Sequence, residues 1–405
     1  MSEPIALSSC IVAPETGILR DCPRPVALRN EIFADRFDWN TLFYDVYRVG
    51  RDVVFQGPPL FNFLDLLKQQ PPFRGTLRRW FPRARHYSQG KRGEIWLRSD
   101  ADHFTLDGPL GRFDIAVQPS LNPLFAGRRV LMTISKDNQI HWIEDWLWYY
   151  RAVHGAEGAL LYDNGSTLYT PEELQARLSA SVPDMVVRVI SWPFPFGAEG
   201  GMAGAVGGVE APWDSDYCQV GQQQHARFRC FGQARSVLNV DIDEFVLPSG
   251  GQTIFEATEN SRHGFTKFEG RWVTVASDTA PGPLQCRHGD FTRLEGAGAE
   301  TCPAKWCVVP AAFGRECSWS HHNIFGTKAN RELSDQFTYR HFQGITTSWK
   351  YDRWSEDAPA AKNLPEDGVL KDAMARAGLV PSGSLSGSPS PAASLGPAPG
   401  PAPAT

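Results

Sequence analysis

The stretch that most restricts the fold of this chain runs from Arg128 to Ser166. Val130-Leu131-Met132-Thr133-Ile134-Ser135 reads as a fully buried strand, and Lys136-Asp137-Asn138 opens a helix that runs to about His154 and closes at Gly155. Gly158-Ala159-Leu160-Leu161-Tyr162 is a second strand, ending in Asp163-Asn164-Gly165-Ser166. Together they make a βαβ unit. Two apolar stripes run along the helix, one through Ile140, Ile143, Leu147 and Tyr150, the other through Trp142, Trp146, Tyr149 and Val153. Such a helix is covered on most sides, so its aromatics belong to the core and not to a cofactor box. Thr170-Pro171-Glu172-Glu173 is a capping box that starts the next helix, and Met185 to Ile190 is a third strand. Alternation of this kind predicts an α/β fold with a mostly parallel sheet flanked by helices, its ligands at the carboxyl ends of the strands.

Polar residues cluster after three of the predicted strands: Ser135 to Asn138, Asp163 to Ser166, and Asp241 to Glu244. The last follows the apolar run Val237-Leu238-Asn239-Val240. Alternation along a strand puts Asp241 and Asp243 on one face and turns Ile242 to the core. Two carboxylates facing one space repel, and a hard divalent cation, Mg²⁺ or Mn²⁺, makes the arrangement favourable. A solvated strand end is the alternative for Asp-x-Asp taken alone. Three coincident strand ends make one site.

A chain of 405 residues with 42% hydrophobic content buries at least one large core and suggests two or three domains. The net charge of -5 and the lack of a strongly basic block exclude nucleic acid as the main partner. Arg74, Arg78, Arg79, Arg83 and Arg85 read as a solvated face and not as an anion site. No run of about 18 apolar residues appears and the N-terminus lacks a basic segment followed by an apolar one, so the expectation is a cytoplasmic protein without a transmembrane segment. Eight irregularly spaced cysteines without a C-x-x-C pair suit buried thiols in a reducing compartment. Cys302, Cys307, Cys317 and His321-His322 offer zinc donors, but their spacing matches no standard knuckle or ribbon, which favours core cysteines.

The chain divides accordingly. Residues 1–127 alternate short apolar runs with Pro and Gly and predict a small β-rich region with one helix near Phe61 to Lys68. Residues 128–353 form the α/β domain, 354–380 a helical extension, and 381–405 a disordered Pro/Gly/Ser/Ala tail. The stretch Phe196 to Gly208 lacks the lysine and the strand-turn-helix frame of a phosphate cradle and reads as a mobile loop beside the site. A helix from about Gln219 to Gln233 leads into the acidic strand.

These residues resemble glycosyltransferase family 92 and its relatives. The likeness rests on Lys136-Asp137-Asn138, Asp145-Trp146-Leu147, Leu161-Tyr162-Asp163-Asn164-Gly165-Ser166, a helix bearing Gln222, and Asp241-Ile242-Asp243-Glu244-Phe245. It extends through Lys305-Trp306 to Pro310, His321, and Tyr339-Arg340-His341-Phe342, covering roughly Arg128 to Arg353. His341-Phe342-Gln343-Gly344 with Trp349-Lys350 also resembles the His-aromatic-x-Gly turn of other GT-A enzymes. The resemblance implies the GT-A fold and a metal-dependent glycosyltransferase, a hexosyltransferase acting with inversion. Its donor would be a nucleotide diphosphate sugar, a UDP-sugar by expectation, and its acceptor a glycan or other hydroxyl. Asp243 and His341 would hold Mn²⁺ (or Mg²⁺), with Asp241 on the metal or the ribose. Lys136, Asp137, Asn138, Asp163, Asn164 and Ser166 would bind the nucleotide and Lys350 the diphosphate. Glu269 and Asp290 are the candidates for the catalytic base. Two rival classes are a non-catalytic nucleotide-sugar or glycan binder on the same scaffold and a metal-dependent nucleotidyltransferase.

Overall fold

A computed structural model describes residues 4–75, 83–197, 217–275, 284–294, 301–347 and 364–379. Lys350, Arg78, Arg79, residues 198–208 of the glycine-rich stretch and the 381–405 tail lie outside the described residues. The α/β part is organised on one nine-stranded sheet. Its strands are β1 (Arg129–Ser135), β2 (Gly158–Asp163), β3 (Val186–Ser191), β4 (Ser236–Asn239), β5 (Glu244–Val246), β6 (Phe265–Val275), β7 (Phe291–Leu294), β8 (Cys302–Val308) and β9 (Tyr339–Phe342). The helices that concern the site are α1 (Ile140–His154), α2 (Pro171–Ser181), α3 (Tyr217–His225), α4 (Ile254–Glu259) and α5 (Gly368–Arg376).

The strand order is β3-β2-β1-β4-β8-β6-β9-β5, with β7 branching from β6. The first four strands are parallel, and β6 and β9 are also parallel. The pairings β4/β8, β8/β6, β9/β5 and β6/β7 are antiparallel. The sheet is therefore mixed, not mostly parallel as the alternation of elements implies. A parallel neighbour needs a crossover of a dozen or more residues, usually helical. After β4 the helix on offer before β6 is α4, six residues long, and the strands there turn back on one another.

Period-two alternation fills both faces of the parallel half. Leu131, Ala159, Leu161, Val187 and Leu238 point into one core with α1, α2, α4 and α5. Val130, Met132, Leu160, Tyr162 and Val237 point into the other. On α1 both apolar stripes are buried apart from Ile140, and Gly155 closes the helix in the left-handed region at φ 69°, donating to Arg151. The start of α1 departs from expectation. Lys136-Asp137-Asn138 forms a loop and the helix begins at Ile140 without a side-chain cap. Asp137 sits at φ 52°, a region that Asp tolerates better than most side chains, and its Oδ1 accepts the amides of Thr167 and Leu168 at 2.5 and 3.2 Å.

The N-terminal region is β-rich. Four antiparallel strands run in the order Asp45–Val49, Asp52–Gly57, Gly93–Arg98, Ala84–Tyr87, and His103–Gly108 pairs with Gly111–Ala116 as a hairpin. A short helix, Asn62–Leu67, packs on them. This region joins the larger sheet through buried polar groups. Asp45 Oδ2 lies 2.9 Å from His225 Nε2 and 2.7 Å from Arg229 Nη1, and Tyr162 OH lies 2.6 Å from His225 Nδ1. Burial pushes the Asp45 carboxyl upward, but the His225 hydrogen bond and the Arg229 charge outweigh it, so it titrates below the ordinary range. Burial lowers His225, leaving it neutral, with Tyr162 donating to Nδ1. Gln56 donates to the carbonyl of Gly221 at 2.5 Å, where a Cβ would stand 2.4 Å from the Tyr44 ring.

Candidate metal centre

The acidic triplet lies on a turn. Strand β4 stops at Asn239, and the Glu244 amide donates to the Asp241 carbonyl at 3.2 Å. In return Glu244 Oε2 accepts the Asp241 amide at 2.9 Å. Aspartate is favoured at the first position of such a turn, and the turn lets the chain leave β4 and pair β5 with β9 at the far end of the sheet. Ile242 is buried as the alternation predicts.

Helix α1 fixes the chain beyond the turn. Tyr149 OH donates to the carbonyl of Val246 at 2.7 Å and Tyr150 OH to that of Glu244 at 2.9 Å. His154 Nε2 donates to Val246 O at 2.7 Å while its Nδ1 accepts the Ile254 amide at 3.3 Å. Tyr149 and Tyr150 are thus core on their ring faces and hydrogen-bond partners of β5 at their tips. Below the turn, Asp145 is ion-paired with Arg287 and lies 3.4 Å from His288 Nδ1. His288 Nε2 donates to the carbonyl of Ile242 at 2.9 Å.

The carboxylates on the turn divide into two groups. On one side, Asp243 Oδ2 lies 2.9 Å from His341 Nε2, because β5 and β9 place Glu244 opposite His341. The imidazole is stacked on Trp272 of β6, with centroids 3.9 Å apart and planes at 15°. Asp243, Glu244 and His341 are the one set of three such side chains among the described residues whose donor atoms all lie within 4.8 Å of one another. Carboxylate oxygens suit Mn²⁺, while an imidazole nitrogen also suits Zn²⁺ and iron. Oxygen donors suit Mg²⁺ as well.

On the other side stands Lys305 of β8, whose side chain is 2% exposed. Its Nζ lies 2.5 Å from Asp241 Oδ2, 3.0 Å from Glu244 Oε2 and 3.3 Å from His321 Nε2. Burial pulls the ammonium toward neutrality, and the two carboxylates more than reverse it, so its pKa lies above the ordinary value. Burial pushes Glu244 up to about 7, with Asp241 and Asp243 in the same direction and Lys305 and His341 against. His321 Nδ1 lies 2.5 Å from the Gln219 side-chain amide.

The residues expected to bind a nucleotide lie on the loops after β1 and β2, which are tied together. The Asp137 amide donates to Ser166 Oγ at 2.9 Å, and Ser166 Oγ donates to Asp163 Oδ1 at 2.5 Å. Asn164 Nδ2 donates to the carbonyls of Trp192 and Phe194 at 2.7 and 2.9 Å. Asn138 Nδ2 donates to Ser135 Oγ at 2.9 Å, and Lys136 is exposed. Beside these loops a cleft of about 620 Å³ is lined by Gln139, Ile140, His141, Glu144, Tyr169 and Arg177 among others.

Of the two base candidates, Glu269 is exposed on β6, while Asp290 is buried and accepts the Arg287 amide at 2.8 Å. Cys302, Cys307 and Cys317 are buried thiols, and they join no metal-ligating set among the described residues. Among those residues no helix is long and apolar enough to cross a membrane. The sequence pattern gave Lys305, Trp272 and Gln219 no place in the site. A lone lysine inside the apolar run Cys302 to Val308 is the signal that marks the first; nothing in the sequence marks the other two.

No family model matches the chain and no curated protein matches it. Among solved structures it is similar to "Crystal structure of S. aureus TarS 1-349", with 13% identity and a TM-score of 0.24, over 45% of this chain and 47% of that one. The chain thus spans about half the length of that structure, and a likeness at this TM-score fixes neither fold nor function.

Proposed function

We propose that this chain is a metal-dependent glycosyltransferase, moving a sugar with inversion from a nucleotide diphosphate sugar, a UDP-sugar, to a hydroxyl of a glycan or other acceptor. The observation that carries the reading is the Asp243–His341 pair with Glu244 on the turn after β4, in a sheet whose β1 and β2 also end in polar loops. The resemblance of Asp241 to Phe245 and of Tyr162 to Ser166 to family 92 supports the donor class.

In this reading Asp243 and His341 would hold Mn²⁺, with the His341 ring stacked on Trp272. A bound divalent cation supplies Lewis-acid stabilisation of the departing diphosphate. The loops held by Asp137, Asp163 and Asn164 form the wall for base and ribose.

Calorimetry with UDP tests this, with and without Mn²⁺, followed by assay of released nucleoside diphosphate with an acceptor present. Binding that survives excess chelator unchanged removes the metal from the reading. Binding without release of nucleoside diphosphate from any nucleotide sugar leaves the non-catalytic binder, and release of pyrophosphate points to a nucleotidyltransferase.

A further inference from the structure

An ammonium has three N–H donors and no acceptor, so an imidazole nitrogen that faces one offers its lone pair. Lys305 Nζ lies 3.3 Å from His321 Nε2, which puts the ring proton on Nδ1. His321 Nδ1 lies 2.5 Å from the Gln219 side-chain amide, and an N–H there needs an oxygen opposite it. The oxygen and nitrogen of a glutamine amide are assigned from the bonds they make, so Gln219 turns Oε1 to His321 and its NH₂ away. That NH₂ makes no other hydrogen bond among the described residues. The arrangement is held from behind. Asn239 Nδ2 donates to the His321 carbonyl at 3.0 Å, and Gln223 Nε2 donates to Asn239 Oδ1 at 3.4 Å.

Asp241 flanks the same ring. Its Oδ2 is bonded to Lys305 and stands 3.6 Å from His321 Nε2, while its Oδ1 accepts no hydrogen bond among the described residues. Gln219 is half-buried, and the Asp241 and His321 side chains are 32% and 24% exposed, so a ligand can reach them. A neutral N–H donor near a carboxylate acceptor suits a hydroxyl, which both donates and accepts, and the carboxylate repels a phosphate. We propose that Gln219 is a sugar-recognising residue of this site, its NH₂ donating to a ring hydroxyl of a ligand bound beside Asp241. The inference rests on the proposed function for the ligand, a nucleotide diphosphate sugar, whose ribose and transferred sugar both carry such hydroxyls. Strand order supports the placement. β4 and β8 stand between β1 and β2, with their polar loops, and the β9/β5 pair that sets His341 opposite Glu244. A donor that reaches from those loops to Asp243 and His341 passes the β4/β8 end, where Gln219 meets His321. Lys305 and His321 set which way its amide faces.

The test is calorimetry on the full chain in saturating Mn²⁺, with UDP, 2′,3′-dideoxy-UDP, UDP-glucose, UDP-galactose and UDP-N-acetylglucosamine as probes. Gln219→Met is expected to weaken binding by about threefold or more, as for one lost hydrogen bond. Gln219→Glu keeps an oxygen for His321 Nδ1–H but lacks the N–H donor, and the same loss is expected. A loss confined to a UDP-sugar, with UDP unchanged, places the contact on the transferred sugar. A loss for UDP that disappears with 2′,3′-dideoxy-UDP places it on the ribose. An equal loss for UDP and its dideoxy analogue puts the contact on base or diphosphate and overturns the proposal, as does unchanged affinity for every probe in either variant. Nitrogen NMR of the His321 ring, identified by its absence in His321→Gln, is expected to show the proton on Nδ1 without any ligand; a proton on Nε2 overturns the amide assignment and the proposal with it. No binding of UDP or any UDP-sugar to the unmodified protein sinks the proposed function itself and takes this reading with it.

Discussion

The ring of Phe245 lies parallel to that of Tyr149, with centroids 3.9 Å apart and planes at 7°. On its other side it stacks on His288 at 4.4 Å and 13°. Phe245 directly follows the acidic turn and is wholly buried, so this three-ring stack fixes where β5 starts. Phe245→Ala is expected to cost about 3–5 kcal/mol, in the range of aromatic truncations in a core. Urea unfolding followed by circular dichroism measures it. Phe245→Leu keeps much of the volume and is expected to cost less.

If Asp243 and His341 hold the cation, Asp243→Asn is expected to lower transfer by orders of magnitude with the fold retained, and His341→Ala to act in the same direction. His322→Ala is the comparison, since His322 Nδ1 bonds to the Ala304 carbonyl and takes no part in the Asp243 group. Turnover across a Mn²⁺ titration for each variant, with circular dichroism on each, checks the prediction. Near-normal turnover in folded Asp243→Asn overturns the assignment.

His154 predicts an acid-side loss of stability. It is fully buried, donating from Nε2 and accepting at Nδ1, which requires the neutral ring, and burial lowers its pKa from 6.5 to about 4. Below pH 6.5 the unfolded chain takes up a proton that the folded chain refuses, so stability falls as pH drops from 6.5 toward 4. The full loss is about 3 kcal/mol. His154→Gln is expected to be less stable at pH 7 but to show a shallower fall over that window. Chemical denaturation at pH 7 and pH 4.5 compares the two.

Asp45 joins the N-terminal region to the larger sheet, and its removal strands charge. In Asp45→Asn the Arg229 guanidinium, buried in the same cluster, loses its carboxylate. A cost of about 3–5 kcal/mol is expected, as for other broken buried pairs. A chain beginning at residue 128 lacks Asp45, Gln56 and Tyr44 together and is expected to be insoluble or unfolded. A cooperative thermal transition in that fragment would show that the α/β part stands alone.

Much of this molecule was legible in the sequence where the signal is local. The period of Val130 to His154 marks β1, α1 and its left-handed Gly155, and Thr170 to Glu173 forms the capping box it spells. Asp241 to Glu244 stands out in the sequence as an acidic run, but its backbone does not. Alternation of Val240, Asp241, Ile242 and Asp243 reads as strand, and what bends it is the Asp241–Glu244 pair of backbone and carboxylate bonds. Non-local partners were out of reach. Asp145 meets Arg287 across 142 residues and Asp241 meets Lys305 across 64, and no periodicity encodes either. The antiparallel half of the sheet was hidden for the same reason, since β6, β8 and β9 pair out of chain order.

The Asp45–Arg229 contact spans 184 residues, and that separation has a kinetic consequence. During synthesis at roughly 5–20 residues per second, Asp45 emerges on the order of 10–40 s before the arginine that neutralises it. Over that interval the N-terminal strands exist without their anchor, with the Tyr44 ring and the Asp45 carboxylate still facing water. Folding of this chain is thus expected to finish late and to be slow for its size, as for other topologies dominated by distant pairings.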